Sequence, residues 1–114
     1  MIQIKRAYEK PEESDGYRVL VDRVWPRGVK KEAARLDEWA REVAPSDGLR
    51  KEFHGHPERW EEFRERYFEE LDGMPERVAG LRERASAGTL TLVYAARNEE
   101  RNNAVALREY LERG

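Results

Sequence analysis

Apolar residues change period along this chain, alternating in short segments and recurring every three or four positions in longer ones. Ile2 and Ile4 alternate with polar neighbours, which predicts a strand running through about Tyr8. The segment KPEESDG that follows reads as a loop, with Pro11, Ser14, Asp15 and Gly16 as its turn formers. Tyr17 to Val24 carries Val19, Leu20 and Val21 in succession, as a central strand buried on both faces would. Beyond Gly28 the period becomes helical. Ala33, Leu36, Trp39, Ala40 and Val43 recur at helical spacing as far as Pro45, which predicts one helix across this stretch. A short helical turn is expected over Gly48 to Phe53. PERWEEFRERYFEEL predicts the strongest helix, with Pro57 near its first turn and Trp60, Phe63, Tyr67 and Leu71 on one face. That aromatic stripe reads as core packing in preference to a cofactor site. Pro75 opens a further helix with Val78, Leu81 and Ala85 inward, and Gly88 ends it. Thr89 to Ala96, TLTLVYAA, is the clearest strand, and a last helix with Ala104, Val105, Leu107 and Leu111 starts at about Asn102.

Strands separated by helices predict an α/β fold: a small, mostly parallel sheet of three or four strands flanked by about four to five helices. At 114 residues the chain fits one domain spanning 1–114, with no linker. The first two strands present a difficulty, because only about eight loop residues join them and a parallel crossover between neighbours needs roughly a dozen or more. Either they pair antiparallel, or they are parallel with Thr89 to Ala96 inserted between them, and the second arrangement is preferred. A sheet this small leaves room for a fourth short strand or for a homodimer packed on its edge.

Composition narrows the functions. No run approaches the ~18 apolar residues of a membrane span, and MIQIKRAYEK lacks the apolar segment of a signal peptide, so a soluble, cytoplasmic protein without a membrane partner is expected. The absence of cysteine excludes disulfides, thiolate metal sites and a cysteine nucleophile. Charged residues make up 40% of the chain, yet 22 basic and 24 acidic groups leave a net charge of only -2. A global electrostatic footprint for nucleic acid is therefore missing, while a local basic patch stays open. The preference for arginine over lysine and glutamate over aspartate suits a thermophile or a GC-rich genome. There is no internal repeat, no GxGxxG, no GxxxxGK[ST] and no GxSxG, and Ser14, Ser46 and Ser86 all sit in turn or capping settings.

In open α/β sheets, ligands bind beyond the carboxyl ends of the strands. Here those ends carry Lys5 and Arg6, then Asp22, Arg23 and Arg27, then Arg97, Asn98 and Arg101. If the strands are parallel, these residues form a cationic cleft beside the last helix, where Asn102 would cap and free N–H groups would receive an anion. The candidate ligand contacts are Arg6, Asp22, Arg23, Trp25, Arg27, Tyr94, Arg97, Arg101, Asn102 and Asn103. The reading requires Arg27, Arg97 and Lys5 or Arg6 to converge on one pocket. Against it stands the sheer number of arginines, whose pairing with surface glutamates at about 0 to 1 kcal/mol each would account for them equally well.

Within DRVWPRG, Pro26 pushes Trp25 toward extended geometry and Gly28 permits a sharp turn, so that a rigid turn would aim Arg27. Trp25 walls a pocket or, the preferred reading, fills the core. Asp22 is expected to be partly buried, orienting Arg23 or Arg27 or acting as a base. HGHP holds the only two histidines, His54 and His56. Such a pair binds a divalent metal when Asp22 or a glutamate supplies a third ligand, but a helix-entry turn before Pro57 explains His56 as well, and no metal or other cofactor is assigned. A histidine beside the cleft would serve as a general acid or base, which makes Asp22, His54 and His56 the catalytic candidates.

The segments IKRAYEKPEESDGYRVLVDRVWPRGVKKE, LDEWAREVAPSDGLRKEF, HPERWEEFRERYFEEL and TLTLVYAARNEERNNAVALREYL together resemble the YeaO-like branch of the domain-of-unknown-function family 488. DRVWPRG, Asp22 to Gly28, and LVYAARNEERNNA, Leu92 to Ala104, look like that family's two signature segments. The resemblance implies an α/β fold of small prokaryotic proteins whose activity the family's name records as not established. Larger branches carry a helix between the first two strands, which makes those strands parallel there. Other branches carry cysteines around the third strand and its loop, where this chain has Ala95, Ala96 and Arg97 to Asn103, so cysteine chemistry does not transfer. The strand, polar loop and helix start also look like the anion loop of sulfurtransferases and cysteine phosphatases, with the cradle retained and the nucleophile missing. Three functions follow: a site for a small anion (phosphate ester, nucleotide or carboxylate), a nucleic-acid module using the same edge with Tyr8 and Tyr94, and a non-catalytic partner-binding protein. The first is preferred.

Overall fold

A computed structural model describes residues 1–113. Four strands form one sheet: β1 (Ile2–Arg6), β2 (Tyr17–Leu20), β3 (Glu38–Trp39) and β4 (Leu90–Tyr94), in the order β1-β4-β2-β3. Every neighbouring pair is parallel. With β4 between them, β1 and β2 need no crossover to an adjacent position, and the short loop at residues 7–16 suffices. β4 is the central strand by burial as well as by order, all five of its residues being buried between Ile4 on one side and Val19 on the other at Leu92.

Five α-helices accompany the sheet: α1 (Lys31–Ala34), α2 (Asp47–Gly55), α3 (Trp60–Asp72), α4 (Pro75–Ala87) and α5 (Asn103–Arg113). Alternation along the strands sends Ile2, Ile4, Val19, Val21, Leu90, Leu92 and Tyr94 to one face. There they join Phe63, Tyr67, Leu71, Val78, Leu81, Leu107 and Leu111 in one core. Each fully buried Leu, Val or Phe of this layer stabilises the fold by about 1.5–3 kcal/mol. The aromatic stripe of α3 is core, with the Phe53 and Phe63 rings stacked at 4.4 Å and Tyr67 fully buried with its hydroxyl on the Val43 carbonyl. No helix of the described residues is long and apolar enough to cross a membrane.

The opposite face receives Lys5, Arg18, Leu20, Thr91, Val93 and Trp39, and it is covered by loops and the one-turn α1. A buried ion cluster organises this side. Asp15 accepts from Lys5 Nζ at 3.0 Å and from Arg18 Nη1 at 2.6 Å, with the Glu12 N–H as a further donor at 3.0 Å. Arg18 also donates Nε and Nη2 to the Ala34 carbonyl. Gly16 makes the approach to β4 possible: its φ of 64° is in the left-handed region, and a Cβ there would lie 2.3 Å from the Thr89 carbonyl oxygen.

Three expectations are corrected. The helix expected from Ala33 to Val43 is broken: α1 ends at Ala34, whose carbonyl Arg18 takes, and Arg35 turns left-handed with φ 46°. The chain then pairs with β2 through Asp37 N–H to Arg18 O and Ala40 N–H to Leu20 O, making β3, before a 3-10 turn at Arg41–Val43. Pro57 lies outside α3, in a turn closed by the Arg59 N–H on the His56 carbonyl. The strands are shorter than expected, because β1 turns at Arg6 to Glu9 and β2 gives way at Asp22, whose side chain turns toward β4.

Candidate functional site

The parallel ladders bring the carboxyl ends of β1, β4 and β2 to one edge. One residue past β2, the Val21 N–H still bonds the Val93 carbonyl, and Asp22 follows. Its Oδ2 accepts the Ala95 N–H at 2.9 Å and its Oδ1 accepts the Asn103 side-chain amide at 3.0 Å, while the same amide donates to the Val21 carbonyl at 2.9 Å. Asp22 therefore ties the end of β2 to the end of β4 and to the first residue of α5. It orients neither Arg23 nor Arg27, contrary to expectation, because both carboxylate oxygens face backbone and amide donors. Burial pushes its pKa above the usual carboxylate value, against the pull of Asn103, the Ala95 N–H and the positive charge of Arg50.

Two of the arginines are joined to loops. Arg23 donates Nε to Pro45 O at 3.1 Å and Nη2 to Ala44 O at 3.2 Å. Arg6 donates Nε to Ala96 O at 3.0 Å and Nη2 to Ala95 O at 3.2 Å. These bonds satisfy loop carbonyls that neither strand nor helix takes up. Lys5 projects to the loop-covered face and its Asp15 partner, so it does not join Arg27 and Arg97. Trp25 is half-buried, its Nε1 on Val29 O at 2.8 Å and its ring edge-on to Trp39 at 5.3 Å. Trp39 in turn donates to the Asp22 carbonyl at 2.7 Å. The indole thus braces its own turn, which Gly28 completes with φ 78°.

Beyond β4, Asn98 Oδ1 accepts the N–H groups of Glu100 and Arg101, both at 2.9 Å. Asn102 is 2% exposed; it donates to Asn98 O and accepts the Val105 N–H at 2.9 Å, which makes it the N-cap of α5. Tyr94 is 2% exposed and belongs to the core. Arg27, Arg97 and Arg101 are exposed, and among the described residues no hydrogen bond, ion pair or aromatic stack engages their side chains. No buried side-chain polar atom of the described residues lacks a partner.

The histidines lie elsewhere. His54 and His56 are exposed at the end of α2, roughly 12 Å along the helix axis from the Ser46 end that Arg23 approaches. His56 Nδ1 is 3.3 Å from Glu58, and among the described residues no three His, Asp or Glu side chains gather as metal ligands. Shallow concavities include one of about 470 Å³ between α3 and α5 beside Trp60 and one of about 490 Å³ on α4 beside Ser86. Neither touches Asp22, Arg27, Arg97 or Arg101. Sequence reasoning missed Arg50, the cation nearest in effect to Asp22, and the pairing of Ser46 with Glu70 that fixes the start of α2. Only the capping character of Ser46 was visible in advance.

A family model described as the inactive DUF488-N3 subclade matches residues 1–114. The chain belongs to that subclade. It is 47% identical over 110 residues to the uncharacterised protein YeaO of Escherichia coli K12, covering 96% of each chain. It is 41% identical over 110 residues to the uncharacterised protein Rv3073c of Mycobacterium tuberculosis H37Rv, covering 96% of this chain and 92% of that one. The match to Mb3100c of Mycobacterium bovis has the same values. No solved structure matches. The family membership agrees with the resemblance carried by DRVWPRG and LVYAARNEERNNA, and it sets the inward-turned Asp22 within a subclade described as inactive.

Proposed function

We propose that this protein is a non-catalytic binding protein whose carboxyl sheet edge takes a small anion. The observation that carries the reading is the division of labour among the charged residues of that edge. Its acid, Asp22, is turned inward onto Ala95 and Asn103, while Arg27, Arg97 and Arg101 remain exposed without an acceptor among the described residues. Arginine guanidinium presents a planar array of donors matched to phosphate and carboxylate. Glu99 and Glu100 share the loop with Arg97 and Arg101, and the chain is net negative, which favours a compact anion over a polyanion tracking across the surface. The subclade description, inactive, supports the absence of turnover. So does the chemistry of Asp22: a carboxylate holding two structural donors is poorly placed to exchange a proton with a ligand.

Calorimetric titration of inorganic phosphate and of citrate tests this reading. Saturable binding of either, weakened at least tenfold in Arg27→Ala/Arg97→Ala, is the expected result. No binding of either by the intact protein overturns it. Salt-dependent binding of an oligonucleotide stronger than of either small anion replaces it with the nucleic-acid reading.

A further inference from the structure

Against the loop that carries Arg27 lies Tyr8, which is 50% exposed. It sits on the turn after β1, closed by the Glu9 N–H on Arg6 O at 3.1 Å and by the Arg6 N–H on the Glu9 carboxylate at 2.8 Å. The ring is held from both neighbouring loops. Its hydroxyl donates to the carbonyl of Arg27 at 3.0 Å. Its face takes the Arg6 guanidinium at 5.1 Å from the centroid, and Arg6 is itself anchored to the carbonyls of Ala95 and Ala96, immediately before Arg97. The Arg27 backbone and the two residues before Arg97 are therefore tied, through one or two contacts each, to a single exposed ring whose position is fixed at the hydroxyl and at the turn.

An exposed aromatic ring is ordinarily costly to hold still, and here a phenol bond and an anchored cation do so. Such a ring, with the Arg6 guanidinium over one face and the Arg27 backbone on its hydroxyl, has the parts of a stacking platform: a π-face for a planar group and, on the neighbouring loops, the exposed guanidiniums of Arg27 and Arg97 as donors for a negative charge. We infer that Tyr8 is the base-stacking platform of the anion site and that its ligand is a nucleoside monophosphate, the base on the Tyr8 ring and the phosphate between Arg27 and Arg97. This inference rests on the anion reading above and specifies its ligand. A longer strand is disfavoured by the carboxylates of Glu9, Glu99 and Glu100 around the same surface, which one phosphate avoids and a run of phosphates would meet.

The experiment is calorimetric titration of AMP, ribose 5-phosphate and inorganic phosphate into the intact protein, Tyr8→Phe and Tyr8→Ala. Base stacking on an aromatic side chain predicts AMP binding about 5- to 100-fold tighter than ribose 5-phosphate. Tyr8→Ala should bring AMP to the ribose 5-phosphate value without changing the latter, and Tyr8→Phe, which keeps the ring, should retain the preference. Equal affinities for AMP and ribose 5-phosphate in the intact protein overturn the stacking platform and leave the anion site standing. So does a preference that survives in Tyr8→Ala or is lost equally in Tyr8→Phe. Failure of all three probes to bind removes the platform together with the anion reading.

Discussion

The two aspartates that bracket β2 are both held firmly, but by different kinds of partner. Asp15, at the amino end of the strand, faces two cations, Lys5 and Arg18, and its side chain is 3% exposed. Burial alone would raise its pKa, yet the Glu12 N–H, Lys5 and Arg18 outweigh burial and hold it below the usual carboxylate value. Asp22, at the carboxyl end, faces an N–H and a neutral amide, and burial wins. The amino end thus consumes its cations in the fold. The carboxyl end holds its acid with neutral donors and, among the described residues, leaves Arg27, Arg97 and Arg101 without an acceptor, so which cations stay unpaired follows from how each acid is satisfied and not from how many arginines are near.

The largest expected effect breaks the amino end. Asp15→Ala leaves Lys5 and Arg18 buried on the loop-covered face without their acid, and a loss of about 3–5 kcal/mol in denaturant unfolding is expected. Replacing all three charges together, as Lys5→Met/Asp15→Leu/Arg18→Met, should cost less than the single change, because no ion is stranded. A loss below about 1 kcal/mol for Asp15→Ala would mean that the cluster behaves as a solvated surface pair, and the contrast between the two ends would dissolve. The pH dependence has a definite sign. With its folded pKa depressed, Asp15 contributes fully above the ordinary value of 3.8, and that contribution is lost as pH falls through the lower folded value.

Asp22→Asn sharpens the same comparison at the other end. One amide oxygen replaces two carboxylate oxygens, so either the Ala95 N–H or the Asn103 amide meets a donor in place of an acceptor. The expected cost is about 1–3 kcal/mol. Because the folded pKa of Asp22 is raised, its stabilising contribution is full below 3.8 and declines as pH rises through the higher folded value. The stability difference between the native protein and Asp22→Asn should therefore shrink with rising pH, whereas that for Asp15→Ala shrinks with falling pH. Slopes of the same sign in the two unfolding series would show that the two aspartates are held alike.

Much of this frame was legible in the residues. The brevity of the link between β1 and β2 and the apolar run of β4 left an antiparallel pair open but favoured β4 between two parallel strands, which is the arrangement found, because a strand between them reconciles a short loop with parallel pairing. Asn102 as the cap of α5 and Gly28 as a turn residue follow from side-chain chemistry and local backbone alone. β3 was hidden because its two residues become a strand only through bonds to β2, and Leu36, Trp39, Ala40 and Val43 happen to fall at helical spacing. The roles of Arg6, Arg18 and Arg23 were hidden for a related reason: which carbonyl a guanidinium reaches is decided by tertiary approach, and sequence shows only that the guanidinium is present.

The smallest expected effect is the most specific to the site. Arg23 and Arg27 belong to the same motif, four residues apart, and differ in what their side chains touch. Arg23→Ala removes two bonds from a cation to the carbonyls of Ala44 and Pro45, and a loss of about 1.5–3 kcal/mol is expected. Arg27→Ala removes no bond that the fold uses, and its unfolding free energy should stay within about 0.5 kcal/mol of the native protein. The Tyr8 hydroxyl rests on the Arg27 backbone carbonyl, which the substitution leaves in place. If Arg27→Ala destabilises as much as Arg23→Ala, then Arg27 is a structural cation like its neighbour, and the weakened anion binding expected of its variants would report a damaged fold. If stability is unchanged while phosphate binding falls, the two arginines of one short motif divide cleanly, one holding the loop and the other facing the ligand.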